Sequence, residues 1–288
     1  MLKYYWEVKT LRLAVISDIH SNFMALKMAL ESIKSEHVDK ICFLGDYITD
    51  GENENEILST IKNVADYVVL GNREKYILNY SPSKKEYNNY KTIHSTYSNL
   101  NIESLEYIKS MRESYTLDVN GHKILLIHGD RYKGSYNNLE QVFDKMIDDY
   151  DFDICLFGHT HRFLKMEYKN RVFINPGSIG MPDDYPSYKY CIVEIDDHKI
   201  NVTMKEFDVS KSFKELSVNY KNTKYYKTNP TWASLCLLSS RDAVDYCSQF
   251  VNHVEEKTRN AKELSAAEFN KIWNELYEEF IKTNNLNE

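Results

Sequence analysis

The chain has 288 residues, 42% of them hydrophobic and 13% aromatic, with a formal net charge of -7. That length allows one large domain with an appendage, or two domains, and the apolar content is enough for a sizeable core. Acidic and basic residues are interspersed without a polybasic tract, which disfavours nucleic-acid binding driven by phosphate neutralisation. No apolar run approaches the roughly 20 residues that span a bilayer, so no membrane partner is expected. The N-terminal segment MLKYYWEVKT has no apolar core and no cleavage pattern, so no secretory signal is expected. Five cysteines with no C-x-x-C spacing, three of them inside apolar runs, point to reduced buried thiols and a cytoplasmic location.

Elements follow from periodicity. The run 13–16 (LAVI) has strand character and ends in Asp18 and His20. Residues 22–35 read as a helix, with Leu26, Ala29, Leu30 and Ile33 at helical spacing and Ser21 or Asn22 as N-cap. A buried strand at 40–44 leads to Gly45-Asp46, a helix spans 53–64, and a strand at 67–70 leads to Gly71-Asn72. Strands alternating with helices imply parallel pairing. The polar, Tyr-rich stretch 73–113 reads as helical excursions over one end of the sheet, including a helix at 102–111 capped by Asn101. Runs at 114–119 and 123–127 flank Asn120-Gly121, a hairpin signal, and the second ends in His128. After a helix at 139–148, the strand 153–157 ends in Gly158-His159-Thr160-His161. Hairpins at 163–174 and 188–207 follow, and two facing sheets accommodate this many strands better than one wide sheet. Beyond 208, one apolar stripe contains Ala243, Cys247, Phe250, Val251 and Val254. A second contains Phe269, Ile272, Trp273, Leu276 and Phe280, opened by the capping box Ser265-x-x-Glu268. They read as an appendage docking on the core or on a partner.

Seven potential ligands sit at five strand ends: Asp18 and His20, Asp46, Asn72, His128, and His159 with His161. Sites in open α/β sheets form at the carboxyl ends of strands. Carboxylate with imidazole suits a divalent metal of borderline character. Each dipeptide alone is an ordinary turn or strand end. Their joint occurrence, each after an apolar run, favours two metals sharing a carboxylate. Neighbouring glycines such as Gly45, Gly71, Gly129 and Gly158 let the backbone approach closely.

In this order D-x-H, G-D, G-N, H-G and G-H-x-H resemble the calcineurin-like metallophosphoesterases, and the following N-P-G-S is similar to their small bacterial and archaeal branch. The resemblance covers about residues 11–207. It implies a four-layer α/β/β/α sandwich of two facing mixed sheets, with a metallophosphoesterase domain at 1–208, its insertion at 73–113, and a helical C-terminal extension at 209–288. It also implies two divalent ions, Mn foremost with Fe, Zn, Ni or Co as alternatives. Asp18, His20 and His161 would hold one ion, Asn72, His128 and His159 the other, and Asp46 would bridge them. A hydroxide activated by the two metals would attack phosphorus, with Asp46, Asn72 and Arg73 carrying the catalysis.

Many members read G-N-H-[DE], where the histidine protonates the leaving oxygen; here Gly71-Asn72-Arg73-Glu74 stands instead. A guanidinium is a poor acid near neutral pH but pairs with phosphate oxygens. Arg73 is therefore expected to bind the phosphoryl group, and the enzyme to favour leaving groups that depart unprotonated, such as the nucleotide phosphates of dinucleoside polyphosphates (diadenosine tetraphosphate among them). Ser178 and His94 are further candidates for substrate contact, and Tyr47, Tyr76, Tyr132, Tyr136 and Tyr185 for stacking a base. The expected partner is a small phosphorylated substrate, with oligomerisation open to the C-terminal helices. Two alternatives stand beside this reading: a scaffold that keeps the fold for protein binding, and a phosphoprotein phosphatase.

Overall fold

Strand and helix alternate from the start of the computed structural model, which describes residues 10–132, 138–208, 213–261 and 263–286. The first units are β1 (Leu11–Ile16), α1 (Phe23–Ile33), β2 (Lys40–Phe43), α2 (Glu54–Val64) and β3 (Tyr67–Val68). The polar stretch contains α3 (Asn72–Leu78), α4 (Lys91–Asn99) and α5 (Ile102–Ser110). Then come β4 (Ser114–Val119), β5 (His122–Ile127), α6 (Leu139–Asp149), β6 (Ile154–Phe157), β7 (Phe163–Tyr168), β8 (Arg171–Pro176), β9 (Ser187–Ile195) and β10 (Ile200–Asp208). The chain continues as α7 (Phe213–Asn222), α8 (Lys224–Thr228), α9 (Pro230–Asp242), α10 (Tyr246–Thr258) and α11 (Ala266–Thr283). Residues 1–9 of the N-terminal stretch read for a signal, and Tyr136, lie outside the described residues.

Two mixed sheets form, in the orders β10-β9-β1-β2-β3 and β4-β5-β6-β8-β7. The two-residue period of a strand sorts their side chains into layers. Leu13 and Val15 meet Leu126, Leu156, Ile174 and Val193 between the sheets. Ala14 and Ile16 point the other way, to Leu26 and Ala29 of α1 and to Ile57 and Ile61 of α2. On the second sheet, Leu125, Cys155 and Phe173 turn outward to Val142, Phe143 and Met146 of α6. The result is helix, sheet, sheet, helix, as expected from the sequence.

Asn22 and Asn101 cap their helices, accepting from Ala25 N at 3.1 Å and Ser104 N at 2.8 Å. Departures from the expected elements lie mainly after β10. Residues 213–242 form three helices that the periodicity missed. In α9, Ala233, Ser234, Leu235, Cys236, Leu238 and Ser239 are all buried, so the helix is covered on several sides and shows no stripe. Ala243 belongs to no helix; it closes α9 in the left-handed region, φ 52°. The two apolar stripes face each other: Cys247, Phe250 and Val254 pack with Trp273, Leu276 and Phe280, and Met181 of the loop after β8 joins them. Docking is thus onto the core and onto each other. All five cysteines are free buried thiols.

Glu54 opens α2 and is buried beside Thr96 and Asn99 of α4. Burial pushes its carboxyl up to about 7 from an ordinary 4.5. Between those values the folded state holds a proton that the unfolded chain has released, so stability falls as pH rises through that window. Glu54→Gln should leave stability nearly unchanged near pH 4 and raise it by roughly 1–3 kcal/mol near pH 8, measured by urea unfolding at both values. A variant less stable than the parent near pH 8 would contradict this account.

Candidate metal centre

The seven predicted ligands converge at one edge of the sandwich. Asp18 and His20 follow β1, Asp46 follows β2, Asn72 opens α3 just after β3, His128 follows β5, and His159 and His161 follow β6. Asp18, His20, Asp46, His159 and His161 all have φ between 47° and 68°. This left-handed backbone is disfavoured for side chains with a Cβ, at a cost of about 1–3 kcal/mol each. Bonds between the loops hold it: Ile19 N and His20 N donate to Asp46 O at 2.8 and 3.1 Å, Gly158 N to His128 O at 3.0 Å, and Gly180 N to Asp18 O at 3.0 Å.

Two ligand triads result, Asp18 with His20 and His161, and Asp46 with His128 and His159; within each, the ligand atoms lie within 4.8 Å of one another. Asp46 stands between them. Its Oδ1 is 3.3 Å from His128 Nε2 and its Oδ2 is 3.9 Å from His20 Nε2. Asn72 Oδ1 lies 3.0 Å from His128 Nε2 on the side of the second triad.

The chemistry of these atoms calls for positive charge. His128 Nδ1 faces the Leu44 carbonyl at 2.7 Å, and a carbonyl only accepts, so Nδ1 carries a proton. His128 Nε2 is then directed at two oxygens, of Asn72 and Asp46, which only a proton or a cation can reconcile. In the first triad His20 Nε2 and His161 Nε2 are 3.1 Å apart, and Asp18 Oδ1 is 3.2 Å from the latter. Asp18 Oδ1 is buried and accepts no hydrogen bond among the described residues.

Without cations, imidazolium supplies that charge. Burial lowers the His128 and His161 pKa values, but the charges of Asp46 and Asp18 outweigh it and push them up to about 10 and about 9. Burial opposes ionisation of Asp18 and Asp46, yet His161 holds Asp18 below the usual carboxylate range and His128 holds Asp46 well below it. Burial, and then the charge of His128, pushes His159 down to about 4. The donor set therefore fits two divalent cations in place of two protons, with neutral imidazoles as ligands.

Two carboxylates that sequence reasoning missed support the ligands. Asp50 Oδ2 takes His20 Nδ1 at 2.8 Å and so turns Nε2 toward the first triad, the usual carboxylate–histidine arrangement of metal sites. In the sequence Asp50 is only an Asp-Gly turn. Glu74, at the third position of α3, binds the backbone N–H groups of Asp46, Tyr47 and Gly71 at 2.8–3.0 Å and that of Ile48 at 3.3 Å. Its signal was the helix-capping spacing from Gly71. No side chain fits at Gly71, where a Cβ would lie 2.2 Å from Asp46 N.

The remaining candidates divide. Arg73 reaches the centre: its backbone N–H donates to Asp46 Oδ1 at 2.9 Å, and its guanidinium is 3.4 Å from Asp50 and 4.0 Å from Asp46. The side chain is 16% exposed. Ser178 is a correction. Its buried hydroxyl donates to Asp18 O at 2.7 Å and accepts from Gly180 N and Met181 N, so it shapes the loop and offers nothing to a phosphate. His94 binds Tyr80 and Ser98. It lines a cavity of about 420 Å³ with Lys91 and Lys224, apart from the ligand set. Tyr47 and Tyr132 are buried, with hydroxyls bound to Val69 O and Asp149, and cannot stack a base. Tyr76 and Tyr185 are 43% and 64% exposed.

Comparison with known proteins agrees with the fold. Residues 11–198 match the model of the calcineurin-like phosphoesterase superfamily domain. The chain belongs to that superfamily, whose chemistry is metal-dependent phosphoester hydrolysis. It is 30% identical over 227 residues to an uncharacterized protein of Methanocaldococcus jannaschii, covering 72% of this chain and 92% of that one. A metallophosphoesterase from Sphaerobacter thermophilus has the same fold, with a TM-score of 0.58 and 20% identity, over 77% of this chain and 99% of that one. So does a hypothetical protein from Pyrococcus horikoshii, with a TM-score of 0.59 and 19% identity, over 76% of this chain and 97% of the other. Among the described residues no helix is long and apolar enough to cross a membrane.

Glu74→Gln tests the clamp on the Asp46 loop. A carboxylate offers only acceptors, whereas an amide NH₂ would face one of the N–H groups. The variant should bind Mn²⁺ more weakly, read by titration calorimetry. An unchanged affinity would remove Glu74 from this role.

Proposed function

We propose that this chain is a dimetal phosphohydrolase or phosphodiesterase of small phosphorylated substrates, with Mn as the foremost metal. The observation that carries the reading is the pair of triads with the Asp46 carboxylate between them. Asp18, His20 and His161 would hold one ion, and Asn72, His128 and His159 the other, with Asp46 shared. Two cations so held would supply Lewis acidity, to activate water and offset charge on the phosphoryl oxygens.

The chain's own residues do the rest. Neutral imidazoles leave net positive charge for an anionic substrate. Glu74 fixes the Asp46 loop, and Asp50 fixes the ring of His20. Arg73 contributes a permanent positive charge. Burial works against that charge, but Asp50 and then Asp46 outweigh it and raise the guanidinium pKa further, so Arg73 does not act as an acid. Its exposed fraction serves to pair with a phosphoryl oxygen. Leaving groups must then depart without a proton, which favours nucleotide phosphates and aryl oxides; dinucleoside polyphosphates are the leading substrates on this ground. We take 1–208 as the catalytic unit with 73–113 inserted over its active end, and 209–288 as the helical extension. The free thiols support a reducing, cytoplasmic setting.

Two measurements test the reading. Chelation should abolish hydrolysis of bis(p-nitrophenyl) phosphate and added Mn²⁺ should restore it, while Asp46→Asn should lose at least about 100-fold. Across phenyl phosphodiesters, the rate should fall steeply as the leaving-group pKa rises. A flat series would remove the argument from Arg73, and an Mn²⁺-loaded wild type inactive on every phosphoester and phosphoanhydride tried would point to a scaffold.

A further inference from the structure

The C-terminal helices reach the support of the metal centre at Asp50. Trp232 lies in the first turn of α9, and its indole Nε1–H donates to Asp50 Oδ1 at 2.7 Å. The other oxygen of that carboxylate, Asp50 Oδ2, takes His20 Nδ1 at 2.8 Å, Thr49 Oγ1 at 2.9 Å and the Arg73 guanidinium at 3.4 Å. Tyr220 of α7 donates to the Asp50 carbonyl at 2.6 Å. The Arg73 guanidinium sits over the Trp232 ring, 5.9 Å from its centre.

We propose that Trp232 is a positioning residue of the first triad, holding the carboxylate that orients His20. This rests on the metal-centre reading above. The Asp50 side chain is buried, and a buried carboxylate keeps one orientation only while each oxygen has its donors. If the indole N–H is removed, Oδ1 retains Thr92 Oγ1 at 3.4 Å, a long and weak bond. The carboxylate can then turn, and the His20 ring turns with it. The coupling is one-sided. In the second triad His128 is oriented by the Leu44 carbonyl, just past the end of β2, and among the described residues it has no hydrogen bond to the C-terminal helices. It follows that docking of α9 and occupancy of the first triad are one linked equilibrium, each favouring the other.

Titration calorimetry of chelator-stripped full-length chain with Mn²⁺ tests this. Wild type should bind two ions. Trp232→Phe keeps the ring against Arg73 and loses only the donor. It should weaken one ion by about 10- to 100-fold and leave the other within about twofold. Two ions bound with unchanged affinity, or both weakened alike, would overturn the proposal while leaving the metal centre standing. Wild type that binds no ion would overturn the metal centre itself, and this proposal with it. A second measurement needs no substitution: hydrogen exchange of peptides from 230–242 in wild type should slow when Mn²⁺ is added. Protection that rises around Asp18 and His20 but not in α9 would break the link.

Discussion

Two buried carboxylates, Asp18 and Asp46, and the four imidazoles around them form the constraint on which the rest of the structure depends. A buried negative charge stays ionised only beside positive charge. With no cation bound, the charges of Asp46 and Asp18 draw protons onto His128 and His161, which supply it. The same geometry fits divalent ions, because a cation would replace each proton and gain further ligands. The sheets, loops and helices can be understood as the means of holding these groups together.

The sandwich does this by geometry. β1, β2 and β3 of one sheet and β5 and β6 of the other end at the same edge, so short loops bring residues distant in sequence within hydrogen-bonding range. Rigidity comes from below, where Leu13, Val15, Leu126 and Leu156 interlock between the sheets. It also comes from behind, where Glu74 gathers four backbone N–H groups and Asp50 gathers side chains from four segments, with Thr92, Trp232, His20 and Arg73 among them.

What could be read from the sequence follows from which signals are local. Apolar runs of fixed period announced the strands, and each strand end displayed its ligand, so the layers and the converging residues could be named in advance. Asn22, Asn101 and Ser265 announced helix starts for the same reason, since a cap is satisfied within three or four residues. The parts that stayed hidden are satisfied at long range. α9 is buried on several sides and shows no amphipathic stripe. Asp50 takes its meaning from Trp232, 182 residues away. Ser178 seemed suited to a phosphate, but its hydroxyl is consumed by the Asp18 loop, and the Tyr47 ring is inside the core.

The left-handed backbone of Asp18, His20, Asp46, His159 and His161 has an evolutionary consequence. Aspartate, asparagine and histidine tolerate that conformation better than most residues with a Cβ, and β-branched residues tolerate it worst. Each of these positions is therefore under two independent filters, one for donor chemistry and one for shape. If a lineage abandoned catalysis, the first filter would lapse and the second would persist. Its descendants would drift there toward asparagine or glycine, and the loops would keep their outline long after the chemistry had gone.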